Sequence, residues 1–165
     1  MGKTEGSLLN EMIGAGIAQR YEELGAKVAE LAGLLSDEQF WRKPFTFGNS
    51  FGHLVLHLTG NLNYYIGTEV AGTGYVRDRD REFNEAARPP KDEVLKRFAD
   101  AVAMVAQTAR VQAEKDWSAA YSALREETAG NRFNVFLRCA THLHHHVGQM
   151  TYLQSALTEG AGSKL

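Results

Sequence analysis

The sequence predicts an all-α fold, an antiparallel four-helix bundle with a long connection between its second and third helices. Apolar side chains recur at spacings of three and four residues in four long segments, and no alternating β pattern competes with them. Proline occurs only at positions 44, 89 and 90, so long helices can form before and after these positions. The 165 residues suit one domain, and we expect a single helical bundle domain over residues 1–165.

The first helix is predicted from about Ser7 to Leu35. Its apolar residues share one face and are Leu9, Ile13, Ile17, Tyr21, Leu24, Val28, Leu31 and Leu35. Glycines at positions 14, 16 and 25 weaken this helix by up to about 1 kcal/mol each, so tertiary packing must stabilise it. The segment Ser36–Gln39 then opens a short helical turn, with Phe40 and Trp41 as its apolar anchors.

The second helix is predicted to begin near Asn49 or Ser50, both good N-cap residues, and to end around Gly72. Its apolar face consists of Phe51, Leu54, Val55, Leu58, Leu62 and Tyr65. A run of alternating charge, Arg77–Phe83, follows the helix. Because alternating charges usually pair with one another in solvent, we expect this run to be a solvated loop.

The third helix is predicted to open at Pro90, because proline is favoured in the first turn of a helix. Its core face consists of Val94, Phe98, Ala101, Val105 and Val111. The last helix is predicted from about Asn131 to Leu157. Its repeating face consists of Phe136, Ala140, Leu143, Val147, Met150 and Gln154.

The charge balance excludes several classes of partner. The chain has 18 basic and 20 acidic residues and a net charge of −2, so it lacks a basic surface for nucleic acid or for a membrane. No apolar run approaches the length of a membrane span. A single cysteine, Cys139, is typical of a reducing compartment, so we expect a cytoplasmic protein that acts on a small-molecule substrate.

Histidine is distributed unevenly, with two residues in the second predicted helix and four in the last. At about 100° per residue, His142 and His146 lie together at the edge of the core of the last helix. His145 points to the polar side, and His144 lies at the opposite edge of the core. An i,i+4 pair holds its Cβ atoms about 5–6 Å apart, so two imidazoles can converge on one ion.

The second predicted helix carries the pair His53 and His57, of which His57 lies closer to the core. Asn61 and Tyr64 continue the same polar stripe. We therefore predict a metal site of His57, His142 and His146, with a fourth position open to water or substrate. The remaining histidines would be supporting or surface residues.

A structural interpretation competes with this prediction. Four histidines within five residues produce the His-x-x-x-His pattern almost automatically, and such a pair is more often structural than a metal ligand. Cys139 lies one turn before His142 and could be a fourth ligand or a nucleophile, although a lone helical cysteine among apolar residues usually packs in a core. Interior position favours the metal site, because buried imidazoles need partners.

Two motifs and their order resemble the DinB superfamily, whose YfiT-like members are metalloenzymes. The first motif is NSFGHLVLHLTGN over Asn49–Asn61, and the second is HLHHHVGQ over His142–Gln149. The second resembles the family pattern of histidine, three residues, histidine and then Arg-Gly-Gln. The chain departs from that pattern at Val147, where the family often has arginine, whereas Gly148 and Gln149 are retained.

The resemblance implies the same three ligands, His57, His142 and His146, holding nickel or zinc in a homodimer. It also implies chemistry with a low-molecular-weight thiol, either as an S-transferase or as a thiol-dependent isomerase. The Arg77–Phe83 run resembles sequences from a sub-branch of the superfamily whose members have no assigned function. These properties come from the resemblance alone.

The leading hypothesis is a metal-dependent thiol S-transferase, in which Asn61, Tyr64 and Gln149 orient ligands or substrate. For Tyr64 and Gln149, simple packing or solvation is the competing interpretation. A metal-activated hydrolase is one alternative, although no carboxylate stands at helical spacing from the ligands, as it does in HExxH. A non-catalytic metal-binding or stress-response protein is another, which a further ligand such as His53 or Cys139 would favour.

Overall fold

A computed structural model describes residues 5–159 of the chain. These residues form seven α-helices and one π-helical segment, with an isolated β-bridge between Ala120 and Asn131 and no β-strand in the described range. The elements are α1 (Glu5–Gly33), α2 (Asp37–Trp41), α3 (Phe51–Leu62), the π-helical segment (Asn63–Thr68), α4 (Arg79–Asn84), α5 (Lys91–Arg110), α6 (Glu114–Trp117) and α7 (Arg132–Glu159). None of the described helices is both long and apolar enough to cross a membrane.

Side-chain caps fix several of the helix starts. A capping box begins α2, in which Ser36 Oγ accepts from the Gln39 amide and the Gln39 side chain accepts from the Ser36 amide. Ser50 Oγ accepts from the His53 amide at the start of α3, and Asp78 does the same for Arg81 at the start of α4. The predicted start near Ser50 is therefore confirmed.

The four long helices contact one another around one apolar core. α1 packs against α5 and α7, and α3 packs against α4, α5 and α7. The Tyr21 hydroxyl donates a 2.6 Å hydrogen bond to the Phe136 carbonyl, which joins α1 to α7 inside the core. Gly14 lets α1 approach α5 closely, because a Cβ there would lie 2.8 Å from the Ala109 carbonyl oxygen. Packing thus explains a glycine that weakens the isolated helix.

The all-α prediction is confirmed for the described residues, with four local corrections. The second predicted helix does not continue as an α-helix to Gly72, because it changes to π-helical geometry after Leu62. Val111 is not a core residue, since it follows the last residue of α5 and is 62% exposed. Leu9, near the start of α1, is also exposed. The Arg77–Phe83 run is not simply a solvated loop, because it contributes most of α4 and buries Glu82.

Candidate metal centre

Three histidines from α3 and α7 meet at one point. His57 comes from α3 and His142 and His146 from α7, and their ligand nitrogens all lie within 4.8 Å of one another. The two Nε2 atoms of His57 and His142 are 3.0 Å apart. The ring centroids of His142 and His146 are 4.5 Å apart, as the i,i+4 spacing predicts. This three-histidine group could hold a metal ion.

The two histidines that α7 contributes to the cluster, His142 and His146, are neutral at physiological pH. Burial lowers the pKa of His142 to about 3, and the neighbouring His146 and His57 add to that effect. Burial also lowers the pKa of His146 to about 4. A neutral imidazole keeps a nitrogen lone pair, which is the form that binds a metal.

Glu82 of α4 orients the third histidine. Its Oε2 lies 2.9 Å from His57 Nδ1, and both side chains are buried. A carboxylate in this position accepts a hydrogen bond from Nδ1–H, which leaves the Nε2 lone pair directed at the other histidines. The pair of Glu82 and His57 therefore has the arrangement of the carboxylate–histidine pairs that support metal ligands.

Arg77 holds Glu82 with two parallel hydrogen bonds. Nε donates to Oε1 at 2.6 Å, and Nη2 donates to Oε2 at 2.8 Å. Burial favours the neutral acid, but the hydrogen bonds from Arg77 and His57 outweigh it and lower the pKa of Glu82 below its usual value. The Arg77 guanidinium also lies 5.5 Å from the centroid of the Tyr65 ring. Glu82 is consequently an ionised, tightly held carboxylate.

Gly60 of α3 makes room for this carboxylate. A Cβ built at Gly60 would overlap Glu82 Oε1. Any side chain larger than hydrogen would therefore push Glu82 away from α3, on which His57 lies three residues earlier. This gives a physical reason for glycine within the HLTGN part of the first motif.

Gln149 has the corresponding place beside His146. Its Oε1 lies 2.7 Å from His146 Nδ1, and its amide nitrogen lies 3.1 Å from His145 Nε2. Acceptance from His146 Nδ1–H leaves Nε2 of that ring as the free nitrogen. Gln149 and His145 are both exposed, so this support lies at the surface.

The other predicted residues lie at different distances from the cluster. Asn61 is buried one helical turn after His57, and its Oδ1 has no hydrogen-bond partner among the described residues. Tyr64 packs edge-on against Tyr65 and lines a cleft shared with Arg77. Any contact of Asn61, Tyr64 or Gln149 with a substrate remains a prediction.

Three further side chains lie outside the three-histidine group. His53 Nδ1 lies 2.6 Å from Ser50 Oγ, and its ring packs edge-on against Trp41. His144 is exposed, although its position on the helix placed it at the opposite edge of the core. Cys139 is fully buried, and burial raises the pKa of its thiol to about 12, so this cysteine is a neutral packing residue.

Sequence reasoning missed Glu82 and Arg77. Their alternating charges are typical of a solvated loop, and the expectation was wrong because these two residues pair with each other and with His57 inside the protein. One sequence signal was available. Asp78 is a good N-cap residue, and Phe83 gives the following short helix an apolar contact, with its ring centroid 4.8 Å from that of His57.

Comparison with known proteins identifies the family of the chain. A model of the DinB superfamily matches residues 20–150, which include α3, α4 and the histidines of α7. The chain belongs to the DinB superfamily. No curated protein and no solved structure matched the chain in the same comparisons.

The departure from the DinB pattern at Val147 has a structural consequence. Val147 is buried and belongs to the apolar core, one residue after His146. The valine therefore packs in the core, and it supplies none of the charge or hydrogen bonds of the arginine that the superfamily often carries there. Gln149, which the chain retains, contacts His146 directly.

Proposed function

We propose that this DinB-superfamily chain is a metal-dependent enzyme, and specifically an S-transferase that uses a low-molecular-weight thiol. One observation carries the proposal. His57 and His146 each direct Nδ1 at an oxygen, of Glu82 and Gln149 respectively, so that Nε2 of each ring is the nitrogen left to bind an ion. Two supported rings and a third, neutral one are the donor set that nickel and zinc accept from proteins.

The residues fit such an ion, with His57, His142 and His146 as its ligands. Bound there, a divalent metal would lower the pKa of a coordinated thiol and so supply a thiolate at neutral pH. Glu82 would keep the proton of His57 on Nδ1, and Gln149 would do the same for His146. Among the described residues, the group contains no fourth histidine, cysteine or carboxylate, which supports a position open to the thiol over a non-catalytic, saturated site.

The hydrogen bonds of Glu82 weigh against a metal-activated hydrolase. Many such enzymes use a free carboxylate or another base beside the metal-bound water. Glu82 Oε1 accepts from Arg77, and Oε2 accepts from both Arg77 and His57. Glu82 is therefore placed to orient a ligand rather than to take a proton from bound water, and orientation of a ligand is the role that the transferase requires of it.

The wider setting is part of the same proposal. The contacts among α1, α3, α5 and α7 support an antiparallel four-helix bundle. We propose a homodimer in the cytoplasm, where a low-molecular-weight thiol stays reduced. A buried Cys139 would not react with the substrates of such an enzyme.

The proposal can be tested by thiol consumption. The protein, loaded with Ni²⁺ or Zn²⁺, is incubated with bacillithiol, mycothiol or glutathione and with 1-chloro-2,4-dinitrobenzene or chloroacetamide. We expect turnover with at least one thiol, loss of turnover in His142→Ala, and retention in His145→Ala, a matched control from the same histidine run. Equal rates in the parent protein and in His142→Ala, or no turnover with any thiol, would contradict the proposal.

A further inference from the structure

A cleft beside His146 is lined by aromatic and aliphatic side chains. We propose that it binds a planar aromatic group of the second, electrophilic substrate. The inference rests on the proposed function in one respect, which is that the bound ligand is a substrate. The cleft itself is a feature of α3, α7 and the segment between α2 and α3.

The wall of the cleft is a pair of parallel rings. Phe45 and Phe47 have ring centroids 5.5 Å apart and an interplanar angle of 11°. They are 42% and 75% exposed, which is unusual for phenylalanine on the surface of a helical protein. Phe45 and Phe47 both lie in the segment that precedes Ser50, the N-cap residue of α3. The start of α3 therefore fixes the position of one end of this segment. Two parallel exposed rings offer flat faces on which another flat ring can stack.

The floor connects the wall to the three-histidine group. Leu54 of α3 and Leu153 of α7 line the cleft and are buried, and Tyr152 lies at its exposed rim. These two helices also carry His57 and His146. The cleft has a volume of about 520 Å³, which is within the range of small-molecule sites.

Two polar side chains of the cleft belong to its metal end. His146 and Gln149 line it there, and Asn49 is the other amide in the lining. A ligand in this cleft would therefore place its apolar part against Phe45 and Phe47 and its polar or reactive part near His146. An apolar body with one polar end is the chemistry that this lining fits.

Ring binding can be measured without any reaction. The probes are benzyl alcohol and its saturated counterpart of equal heavy-atom count, cyclohexylmethanol, titrated into ¹⁵N-labelled protein and followed by NMR. We expect benzyl alcohol to shift the amide signals of residues 45–54 and 146–153. We also expect it to bind about two- to tenfold more tightly than cyclohexylmethanol, because ring stacking adds to simple apolar burial.

The decisive variant is Phe47→Leu, which keeps an apolar side chain and removes the ring. It should reduce the preference for benzyl alcohol, since only the Phe45 ring remains, and because Phe47 is largely exposed the melting temperature should stay near that of the parent protein. Met12→Ala is the control, since Met12 is 71% exposed on α1 and outside the cleft. An unchanged preference in Phe47→Leu, or shifts confined to other regions, would overturn the proposal.

Two further outcomes distinguish this inference from the proposed function and from an interface between two copies of the chain. Ring binding in chelator-treated protein, together with failure of the thiol assay, would support the cleft and reject the proposed function. A dimer that dissociates in Phe47→Leu, with no binding of benzyl alcohol to the parent protein, would show that a second copy covers the rings and would overturn the inference.

Discussion

His57 and His146 each have a hydrogen-bond partner at Nδ1, but the two partners lie in very different surroundings. Each directs Nδ1 at a side-chain oxygen, at 2.9 Å for Glu82 and 2.7 Å for Gln149. The partner of His57 is a buried, ionised carboxylate that comes from another helix, 25 residues along the chain. The partner of His146 is an exposed, neutral amide three residues away on the same helix. The α3 side of the site therefore depends on tertiary structure, and the α7 side depends on local helix geometry.

The difference matters for stability as well as for orientation. Hydrogen bonds to an ionised group are roughly twice as strong as neutral ones, and a buried charge that loses its partner is costly. Only 6% of the Glu82 side chain and 9% of the Arg77 side chain is exposed. Gln149 can exchange its partner for water at small cost. Removal of the α3 support should therefore affect both folding and metal binding, whereas removal of the α7 support should affect metal binding alone.

Glu82→Gln should have the largest effect. It leaves Arg77 without its ionised partner, which should lower the free energy of unfolding by about 3 kcal/mol. It also removes the charge that supports His57, so metal affinity should fall by about 10- to 100-fold. Urea unfolding and metal titration measure the two effects. An unchanged metal affinity would show that Glu82 is only a structural partner of Arg77.

The double variant Arg77→Met with Glu82→Gln separates the two roles. Removal of both charges avoids an unpaired buried ion, so most of the lost stability should return. Metal affinity should stay low, because His57 still lacks a carboxylate. Recovery of parental metal affinity in the double variant would mean that His57 needs no charged partner. The contrast between the charged support of His57 and the neutral support of His146 would then disappear.

Gly60→Ala should have the next largest effect. In an open helix this change stabilises by up to about 1 kcal/mol, but here the methyl group would displace Glu82. We expect lower stability and a weaker metal site. Gly16→Ala is the matched control, because nothing lies within 4 Å of a Cβ at that position of α1, and it should stabilise the protein. Stabilisation by both changes would contradict the close approach of Glu82 to α3.

Gln149→Ala should have the smallest effect. Because Gln149 is exposed, the free energy of unfolding should change by less than about 0.5 kcal/mol. Metal affinity should fall by about tenfold or less, since water can accept from His146 Nδ1. A loss as large as that of Glu82→Gln would show that the two supports are equivalent.

The fold was largely predictable because its signals are local. Spacings of three and four residues indicate the long helices, and caps such as Ser36 and Ser50 mark where helices begin. The change to π-helical geometry after Leu62 has no such signal. Val111 stands six residues after Val105, outside the spacing of three and four, and α5 ends one residue before it, so its inclusion in the core face was wrong.

The three histidines were predictable on both sides of the site, but the residues that support them were predictable on one side only. The positions of His142, His146 and Gln149 follow from one helix, so the α7 side could be built from angles alone. Glu82 reaches His57 through the packing of α4 on α3, and that contact depends on the space above Gly60. Alternating charges give the same sequence pattern in a solvated loop and in a segment that buries one of its charged side chains, so the pattern does not reveal the role of Glu82.

Bound metal, determined by elemental analysis, tests the central claim most directly. The parent protein and His57→Ala, His142→Ala and His146→Ala are loaded with Ni²⁺ or Zn²⁺ and freed of excess ion, with His144→Ala and His145→Ala as controls from the same run. We predict one ion per chain in the parent protein and in both controls, and loss of the ion in each of the three cluster variants. Full metal content in the three cluster variants, or loss in His145→Ala with retention in His146→Ala, would contradict the account.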